Sequence, residues 1–435
     1  WRRAHHDDSA GMVRHVVAEF GDDGGVTTLA DVPAHSDRRL AVRATADAQR
    51  WLRGGHPWLY EGSITSVSHE GAPGDLAVVF DSDRDFLAIG LWDPTGPIRV
   101  RILHAGSPTK IDDDWWFGRV ATAVGRRAGL IADPATTGFR LIHGENDGLP
   151  GIVVDAYGPH LVVKIDTAAA LVHLRAVLDA LSVLVEPSPA SVLLRTSRSV
   201  DPADLHGLME GAALRGETPD IAEFLENGLA FGADLRRGQK TGHFLDQRDN
   251  RVAVGAIAGG RRVLDVFSCT GGFGVHAAAG GATSVTFVDQ SVPALAAARA
   301  NMARNAAAVG ECRVDTVAGD AFVVLEDLRR RRERFDIVVV DPPSFARRAS
   351  EVDGALEAHR KLTGAALDVL APGGCLVQAS CSSRINADTF TATVVGAARE
   401  HGRALVSVET TGHPVDHPVG FPEGAYLAAV RGTAP

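Results

Sequence analysis

This 435-residue chain has little cysteine, little lysine and no long hydrophobic run. No apolar segment approaches the roughly 20 residues that a membrane-spanning helix needs, so we expect no membrane partner. Residues 1–8 are charged and lack the apolar core of a signal peptide. The four cysteines form no C-x-x-C pair and no Cys/His spacing typical of zinc, so we predict no metal site. So few cysteines favour a reducing compartment, and we expect a cytoplasmic protein.

Positive charge is also scarce, since the formal net charge is −10. This balance argues against indiscriminate binding of nucleic acid, where neutralisation of phosphates dominates affinity. A local basic face remains open, because nearly all the cations are arginines, which suit bidentate contacts with phosphate. A GC-rich genome would produce the same bias toward arginine. Arginines that could form such a face are Arg99, Arg101, Arg236 and Arg237.

Shifts in pattern divide the chain into four parts. Residues 1–37 have little periodicity and are predicted to be a mobile leader. Residues 38–112 alternate in short β runs between turn residues and predict a small β-rich module, whereas 113–235 predict a central α+β domain. Residues 236–435 form the fourth part of the chain. The predicted elements of the first and central parts include strands Leu76–Phe80, Phe86–Trp92, Ile98–Leu103, Gly151–Ala156 and Leu161–Ile165, and helices Trp115–Leu130 and Ala168–Leu184.

From about residue 255 the pattern alternates between strand and helix, which indicates a doubly wound, mainly parallel sheet. Ligands of such sheets bind beyond the carboxyl ends of the strands, so chemically informative residues should follow each strand. The predicted strands are Val263–Phe267, Ser284–Asp289, Val314–Ala318, Phe335–Val340 and Cys375–Ala379.

A glycine-rich turn, D-V-F-S-C-T-G-G-F-G at 265–274, follows the first of these strands. Glycines let the backbone approach a ligand, and the next helix start offers free N–H groups, although a tight strand–helix connection would need the same glycines. Asp289 ends the second strand, where a carboxylate can accept both hydroxyls of a ribose. Asp320 follows the third strand and could accept from an adenine amino group. A glycine turn followed by acids after the next two strands favours an adenosine-bearing ligand. This order does not distinguish a nicotinamide dinucleotide from S-adenosylmethionine.

The fourth and fifth strands should bring Asp341 and Cys381 to the same edge. Asp341 begins D-P-P-S-F, and the prolines fix a carboxylate that could hydrogen-bond a planar base or simply end the strand. Cys381 stands between serines before a helix start, where we expect a lowered thiol pKa and a nucleophilic role. The alternative for Cys381 is a small buried hydrophobe.

Residues 238–248, G-Q-K-T-G-H-F-L-D-Q-R, precede the sheet and are dense in polar, aromatic and charged groups. Lys240 or Arg248 could hold a ligand carboxylate, and Phe244 could wall a pocket. An interdomain linker with surface charge is the alternative.

With these residues the chain resembles the bacterial large-subunit ribosomal RNA methyltransferase I family, class I S-adenosylmethionine enzymes that form 5-methylcytosine. The resemblance covers about residues 40–430 and is most specific at 238–248, 265–274, V-D-Q-S at 288–291, D-P-P-S-F-A at 341–346 and S-C-S at 380–382. Smaller matches are G-H-P-W at 55–58, R-L-I-H-G-E-N-D-G-L-P-G at 140–151, D-H-P-V at 416–419 and P-E-G-A-Y-L at 422–427.

The resemblance implies a PUA-like RNA-binding domain at 38–112, a central α+β linker domain and a Rossmann-like methyltransferase domain at 236–435. It implies that Cys381 adds to C6 of a cytosine, that Asp341 engages the base near N3, and that Pro342, Pro343 and Phe345 contact the substrate, although Phe345 could equally belong to the core. The residues it implies for S-adenosylmethionine are Gln239, Lys240, Phe244, Asp246, Arg248, Asp265, Thr270, Gly271, Gly272, Gly274, Asp289 and Asp320.

The expected activity is therefore transfer of a methyl group to C5 of a cytosine in large-subunit ribosomal RNA. Two alternatives stay open: a base N-methyltransferase, because Asp-Pro-Pro also resembles an amino-methylation motif, and a catalytically silent RNA-binding assembly factor. By family analogy a homodimer is compatible with the sequence.

Overall fold

The computed structural model describes residues 29–435 except 33, 37 and 347. The predicted leader, 1–37, therefore lies mostly outside the described residues, but Leu29 and Val32 near its end pack against the core of the central domain. Within the described part of the chain no helix is long and apolar enough to cross a membrane.

The first domain is built on one six-stranded sheet. Its strands follow the order β2-β6-β5-β4-β1-β3, and alternate residues of β1 are buried, which leaves one face of that strand on the core. The predicted bounds of β4 and β5 are confirmed. The elements are β1 (Arg39–Ala44), α1 (Ala46–Arg53), β2 (Trp58–Tyr60), β3 (Ile64–Val67), β4 (Leu76–Phe80), β5 (Phe86–Trp92) and β6 (Ile98–Ala105).

The central domain has a five-stranded sheet of order β11-β10-β9-β8-β7, followed by a hairpin. The elements are α2 (Asp113–Arg126), α3 (Ala128–Ile131), β7 (Gly138–His143), β8 (Ile152–Tyr157), β9 (His160–Ile165), α4 (Leu174–Leu184), β10 (Ser191–Thr196), β11 (Ala213–Arg215) and the hairpin strands β12 (Ala222–Glu226) and β13 (Leu229–Ala233).

Two predicted helices of this domain are interrupted. The helix predicted over Trp115–Leu130 breaks at Arg127, because that side chain turns inward to Asp147 and is fully buried. The helix predicted over Ala168–Leu184 starts as a 3-10 helix through His173 before α4 begins.

The last domain contains a seven-stranded sheet of order β16-β15-β14-β17-β18-β20-β19. All pairings from β16 to β18 are parallel, and only β20 runs against its neighbours, so the predicted α/β class is confirmed. The elements are α5 (Arg248–Ile257), β14 (Arg262–Val266), α6 (Gly272–Ala279), β15 (Ser284–Asp289), α7 (Val292–Arg304), α8 (Ala306–Val309), β16 (Arg313–Ala318), α9 (Ala321–Arg330), β17 (Phe335–Val340), α10 (Val352–Val369), β18 (Leu370–Cys381), α11 (Ala387–Glu400), β19 (Val406–Thr411) and β20 (Leu427–Ala434).

Both faces of this sheet are covered, which explains its nearly continuous apolar strands. In β14, Val263 packs into the cluster on one face, while Leu264 and Val266 pack into the cluster on the other. Because β14, β15, β17 and β18 run the same way, their last residues meet at one edge, which we call the catalytic edge. Strand β18 is longer than predicted, so Cys381 is its last residue rather than a loop residue.

Candidate active site

The glycine turn between β14 and α6 is shaped by packing as well as by backbone freedom. Gly271 has φ +80°, and a Cβ there would lie 2.7 Å from the Cβ of Ala298. A Cβ on Gly274 would lie 2.1 Å from the ring of Phe287, so no side chain fits. The buried carboxyl group of Asp265 accepts from the Gly274 N–H through Oδ2 at 3.0 Å and anchors the first turn of α6. Gly272 opens that helix against the side chain of Arg251.

Asp289 holds this turn in place. Its Oδ2 accepts from the Cys269 N–H at 2.9 Å and its Oδ1 accepts from the Ser291 N–H at 2.8 Å. The carboxylate is half-buried, and each oxygen keeps a second lone pair that could accept a ribose hydroxyl. The carbonyl of Thr270 is fixed in turn by the Asn301 side chain at 2.9 Å.

Asp320 lies farther out, at an exposed position after β16. Its Oδ1 caps α9 by accepting from the N–H groups of Phe322 and Val323, and its Oδ2 accepts from Gln290 at 3.0 Å. The structure thus gives this side chain a capping role besides the predicted contact with an adenine.

Residues 239–246 form a charged loop beside the catalytic edge. Lys240 has φ +52°, pairs with Asp246, and places its ammonium 4.5 Å from the centre of the Phe244 ring. Tyr426 donates to the same carboxylate at 2.9 Å. Burial alone would raise the pKa of Asp246, but Lys240 reverses the effect and holds that pKa well below its usual range. Gln239 is exposed at the start of this loop.

Arg248 has a partner that the sequence did not predict. Its guanidinium is buried and donates to both oxygens of Asp416, at 2.7 and 3.1 Å, in the C-terminal D-H-P-V motif. A buried bidentate pair of this kind occupies the donors that would hold a ligand carboxylate. The geometry therefore favours a structural role for Arg248.

Asp341 follows β17 and carries an unusual charge state. Burial, reinforced by the nearby carboxylate of Asp246, raises the pKa of Asp341 to about 7, while Lys240, Arg251 and a hydrogen bond with the Gln247 side chain oppose that rise. A carboxyl group with this pKa can both hold and release a proton near neutrality. The two prolines differ: Pro342 is buried at the edge and Pro343 is exposed beyond it.

Cys381 ends β18, next to β17 in the sheet, and donates its thiol to the carbonyl of Pro342 at 3.7 Å. The expectation of a lowered thiol pKa is wrong. Burial and the neighbouring carboxylate of Asp341 raise the pKa of Cys381 to about 11, since both disfavour the thiolate. A base must therefore take the thiol proton before this sulfur can attack.

Phe345 is half-buried and packs against the core on one face of the sheet. Its ring lies 5.0 Å from that of His359, which itself lies 4.9 Å from Phe390. Phe345 therefore packs in the core, which was one of the two roles that the sequence allowed. The exposed part of its ring could still contact a substrate.

Sequence reasoning missed several residues that build this site. Gln247 and Tyr426 lay inside quoted motifs but were given no role, whereas Asn250, Arg251, Glu226 and Thr411 had no local signal. Among the described residues no group of three or more His, Cys, Asp or Glu side chains is arranged to hold a metal.

The edge as a whole suits a cationic, adenosine-bearing ligand. Four carboxyl groups surround it, at positions 246, 265, 289 and 341. Asp265 Oδ1 and Ser268 Oγ are buried without a hydrogen-bond partner among the described residues, which leaves polar atoms under the glycine turn for a ligand or water. A sulfonium beside acidic side chains fits this chemistry better than an anionic pyrophosphate does.

Comparisons with known proteins agree with this geometry. A family model described as S-adenosylmethionine-dependent methyltransferase matches residues 204–430, and a PUA-like domain model matches residues 42–105. A protein of Deinococcus radiodurans named ribosomal RNA large subunit methyltransferase is 45% identical over 407 residues, which cover 92% of this chain and 98% of the relative. The chain belongs to the large-subunit ribosomal RNA methyltransferase I family.

A second relative also matches most of the chain. The ribosomal RNA large subunit methyltransferase I of Shewanella amazonensis is 36% identical over 392 residues, covering 89% of this chain and 98% of the relative. Among solved structures, a protein of Streptococcus mutans named as a SAM-dependent methyltransferase superposes with a TM-score of 0.76 at 20% identity, over 91% of this chain and 100% of that one. A second methyltransferase structure, complexed with SAH, has the same TM-score at 22% identity and the same coverages. These likenesses confirm the class I methyltransferase fold with its PUA-like N-terminal domain, and S-adenosylmethionine is the cofactor of the family.

Proposed function

We propose that this protein transfers the methyl group of S-adenosylmethionine to C5 of a cytosine in large-subunit ribosomal RNA, through a covalent bond between Cys381 and the base. The observation that carries the proposal is the pairing of Cys381 with Asp341: they stand at the carboxyl ends of two adjacent parallel strands, and Asp341 raises the pKa of the thiol. The RNA substrate is inferred from the names of the relatives and from the PUA-like domain.

The pair of ionisable groups explains how the half-buried thiol of Cys381 becomes a nucleophile. With the pKa of Asp341 at about 7 and that of Cys381 at about 11, the pair holds a single proton over the range between them, mainly on sulfur. Transfer of that proton to Asp341 yields a thiolate and, at the same time, a carboxyl group that can donate to N3 of the base.

The covalent step overcomes the weak nucleophilicity of C5. The Cys381 sulfur bonds to C6, the ring takes the electron pair, and the Asp341 proton passes to N3. When bound, S-adenosylmethionine supplies the methyl group as an electrophile for C5. Loss of the C5 proton to water and departure of the Cys381 sulfur from C6 restore the aromatic ring, and Asp341 takes back the proton from N3.

Most of the arginines that the sequence suggested for RNA contact have partners within the protein. Three of the four suggested arginines are engaged within the protein: Arg99 and Arg101 pair with glutamates, and Arg236 donates to a backbone carbonyl at 2.7 Å. Arg384 is exposed three residues after Cys381 and is close enough to Tyr60 of the PUA-like sheet to influence its ionisation. We propose that RNA approaches over these two side chains, with the target base unpaired or flipped into the site.

The location follows from the same chemistry. All four cysteines are unpaired, and a thiol that must act as a nucleophile has to stay reduced. We therefore propose that the enzyme works in the cytoplasm.

The test compares Cys381→Ala with Cys312→Ala, a half-buried cysteine away from the catalytic edge. Each protein is incubated with labelled S-adenosylmethionine and unmodified large-subunit ribosomal RNA, and the products are identified by nucleoside mass spectrometry. We expect 5-methylcytosine from the wild type and from Cys312→Ala, and a loss of about 10⁴-fold in Cys381→Ala.

A trapping experiment checks the covalent bond directly. RNA that contains 5-fluorocytosine should form a stable adduct with wild-type protein and none with Cys381→Ala, because fluorine at C5 cannot leave as the proton does. Equal product from Cys381→Ala would refute the nucleophile. A methyl group on an exocyclic nitrogen would favour a base N-methyltransferase, and cofactor binding without turnover would favour an assembly factor.

A further inference from the structure

Two aromatic rings and a carboxylate surround the ammonium group of Lys240. Its Nζ atom lies 4.5 Å from the centre of the Phe244 ring and 5.6 Å from that of the Tyr426 ring, so both rings are within the range of a cation–π contact. The same Nζ donates to Asp246 Oδ2, which also accepts from the Tyr426 hydroxyl at 2.9 Å. We call Phe244, Tyr426 and Asp246 the cation cage.

Contacts with other side chains hold the cation cage in place. The backbone N–H of Tyr426 donates to His413 Nε2 at 3.2 Å, and the carbonyl of Phe244 accepts from the Arg251 side chain at 2.9 Å. Asp246 is 3% exposed and therefore has little freedom to move. These contacts do not involve the lysine, so we expect the cage to keep its shape when the ammonium leaves it.

The backbone holds Lys240 in a conformation that is rare for residues other than glycine. Its φ is +52°, in the left-handed region, within a turn in which the Gly242 N–H donates to the Gln239 carbonyl at 2.9 Å. The next residue, Thr241, is buried and donates its hydroxyl to Asp155 Oδ2 at 2.6 Å. Conformations of this kind persist where the surrounding structure imposes them, and they concentrate at functional sites. The side chain of Lys240 is 34% exposed, so its ammonium can leave the cage for water.

The carboxylate of Asp246 has more capacity for a cation than Lys240 uses. Lys240 and Tyr426 both bind Oδ2, whereas Oδ1 is buried without a hydrogen-bond partner among the described residues. A buried carboxylate oxygen without a partner costs free energy, and a cation that reaches both oxygens would reduce that cost. The lysine therefore satisfies the carboxylate incompletely, and the cage can accept another cation.

The cation cage borders the glycine turn between β14 and α6. His243, next to Phe244 in the chain, places its Nδ1 3.3 Å from Thr270 Oγ1 in that turn. Arg251, which holds the Phe244 carbonyl, packs against Gly272, where an added Cβ would lie 2.7 Å from its Cδ. The cage is thus attached to the turn that we assign to S-adenosylmethionine.

The chemistry of the cage suits a sulfonium better than an ammonium. A lysine ammonium is compact and strongly hydrated, so it loses much hydration when it enters an aromatic site. A sulfonium is bulkier, has no N–H group to hydrate, and resembles the quaternary ammonium groups that aromatic cages bind. The cofactor of the family carries such a group as its reactive centre.

We propose that the cation cage binds the sulfonium of S-adenosylmethionine, and that Lys240 competes with this sulfonium for the cage. The ammonium leaves when the sulfonium enters. Methyl transfer turns the sulfonium into an uncharged thioether, after which the ammonium again has the stronger attraction to Asp246 and returns. This inference deepens the proposed function, and it rests on that function for the use of S-adenosylmethionine as the methyl donor.

The first test compares the affinity for S-adenosylmethionine with that for the uncharged product, S-adenosylhomocysteine. Both ligands carry the same amino and carboxyl groups, so a difference between them reports on the sulfonium. The key variant is Lys240→Met, which removes the charge and keeps the length of the side chain. Lys164→Met is the matched control, because Lys164 also pairs with an aspartate, Asp166, but in the central domain.

Isothermal titration calorimetry of the full chain without RNA gives each Kd. Lys240→Met should bind S-adenosylmethionine about three- to tenfold more tightly than the wild type does, because no ammonium has to be displaced. Its Kd for S-adenosylhomocysteine should be unchanged within error, and Lys164→Met should match the wild type for both ligands. Adding Phe244→Leu to Lys240→Met removes one ring of the cage and should weaken the binding of S-adenosylmethionine alone.

Three results would overturn the proposal. Weaker binding of both ligands by Lys240→Met would mean that the lysine holds the ligand carboxylate, as the sequence allowed. Equal affinities in Lys240→Met and the wild type would mean that the sulfonium does not enter the cage. An equal loss for both ligands on adding Phe244→Leu would mean that this ring contacts a part of the cofactor other than the sulfonium.

The second test uses the wild type and follows the lysine itself. The chain contains four lysines, so reductive methylation with ¹³C-formaldehyde, which keeps their charge, gives a simple NMR spectrum. The aromatic rings should shift the methyl signals of Lys240 upfield, and these signals are assigned by their loss in Lys240→Arg. S-adenosylmethionine should move them to the position of exposed lysines, whereas S-adenosylhomocysteine should leave them in place. Signals that stay upfield with S-adenosylmethionine would refute the competition.

Neither test depends on which atom of the RNA is methylated. If Lys240 leaves the cage with S-adenosylmethionine but the product is not 5-methylcytosine, the cage stands and the proposed function fails. If 5-methylcytosine forms while Lys240 stays in the cage, the proposed function stands and the cage fails.

Discussion

Two regions of this molecule bury charged side chains, and they treat them in opposite ways. Where the central domain meets the last domain, arginines and carboxylates are paired in the interior; we call this the charged joint. Its pairs are Arg127–Asp147, Arg140–Asp155, Arg248–Asp416 and Arg251–Glu226. At the catalytic edge, Asp265 is buried and Asp341 is half-buried, and neither has an ion-pair partner among the described residues.

The pKa values follow this difference. Burial would raise the pKa of Glu226, but Arg251 and a hydrogen bond from His276 hold it well below its usual range. At the catalytic edge burial prevails, and the pKa of Asp265 rises to about 8. Charges whose ionisation is locked by partners hold domains together, whereas carboxyl groups that keep a proton near neutrality can take part in proton transfer.

The largest expected effect is on the rate of methylation, when a carboxyl group of the catalytic edge is replaced by its amide. Asp341→Asn should lower the single-turnover rate by about 10²–10⁴-fold, because an amide cannot receive the thiol proton. Its unfolding midpoint in urea should stay near that of the wild type. A variant that methylates RNA at the wild-type rate would remove Asp341 from the mechanism.

The second effect is on stability. Asp416→Ala removes the bidentate partner of Arg248, which keeps only the exposed Asp249 at 3.4 Å, and also removes the acceptor for the backbone N–H of Arg140 at 2.9 Å. We therefore expect a loss of about 3–5 kcal/mol in the free energy of unfolding. Urea denaturation at neutral pH measures this loss. If the loss is no greater than that of an exposed pair, the charged joint does not hold the domains together.

A third prediction compares how the two regions contribute to stability as the pH changes. Because the folded pKa of Asp265 is raised, its contribution to stability is full below its unfolded pKa and falls as pH rises through about 8. Asp265→Asn removes that slope, so the variant should gain about 1 kcal/mol or more relative to the wild type between about pH 5 and about pH 9. Asp416, with a lowered pKa, should behave in the opposite sense and lose its contribution only as pH falls below about 4. Parallel pH profiles for Asp265→Asn and the wild type would contradict the burial argument.

The smallest effect serves as the reference for the others. Glu326 pairs with Arg329 and Arg330 on the exposed face of α9. Exposed pairs of this kind are screened by water and salt, so Glu326→Ala should leave the urea midpoint unchanged within error. A shift as large as that of Asp416→Ala would mean that burial is not what distinguishes the charged joint.

Much of the fold was predictable because its signals are local. Short apolar runs between helical segments gave the bounds of β15 and β17. Strand β18 extends past its predicted end because its last residues pair with β20. Strand β20 lies about fifty positions further along the chain, and the sequence did not predict it.

The site was predictable in composition but not in its charge states. The order of strand ends placed Asp289, Asp341 and Cys381 at one edge, since parallel strands end together. The expectation for the Cys381 thiol failed because burial and the carboxylate of Asp341 raise its pKa by more than the cation Lys240 lowers it. No neighbour in sequence carries that information.

By itself the sequence determined the order of the parallel strands and the last residues of β15, β16 and β17. It therefore also indicated which side chains follow those strands at the catalytic edge. Only the tertiary structure decided that Arg248 belongs to Asp416, 168 positions away, and that Thr411 reaches Asn250 across 161. The physical reason is that periodicity and capping act over a few residues, whereas desolvation and hydrogen-bond partners depend on every segment that folding brings to the same place.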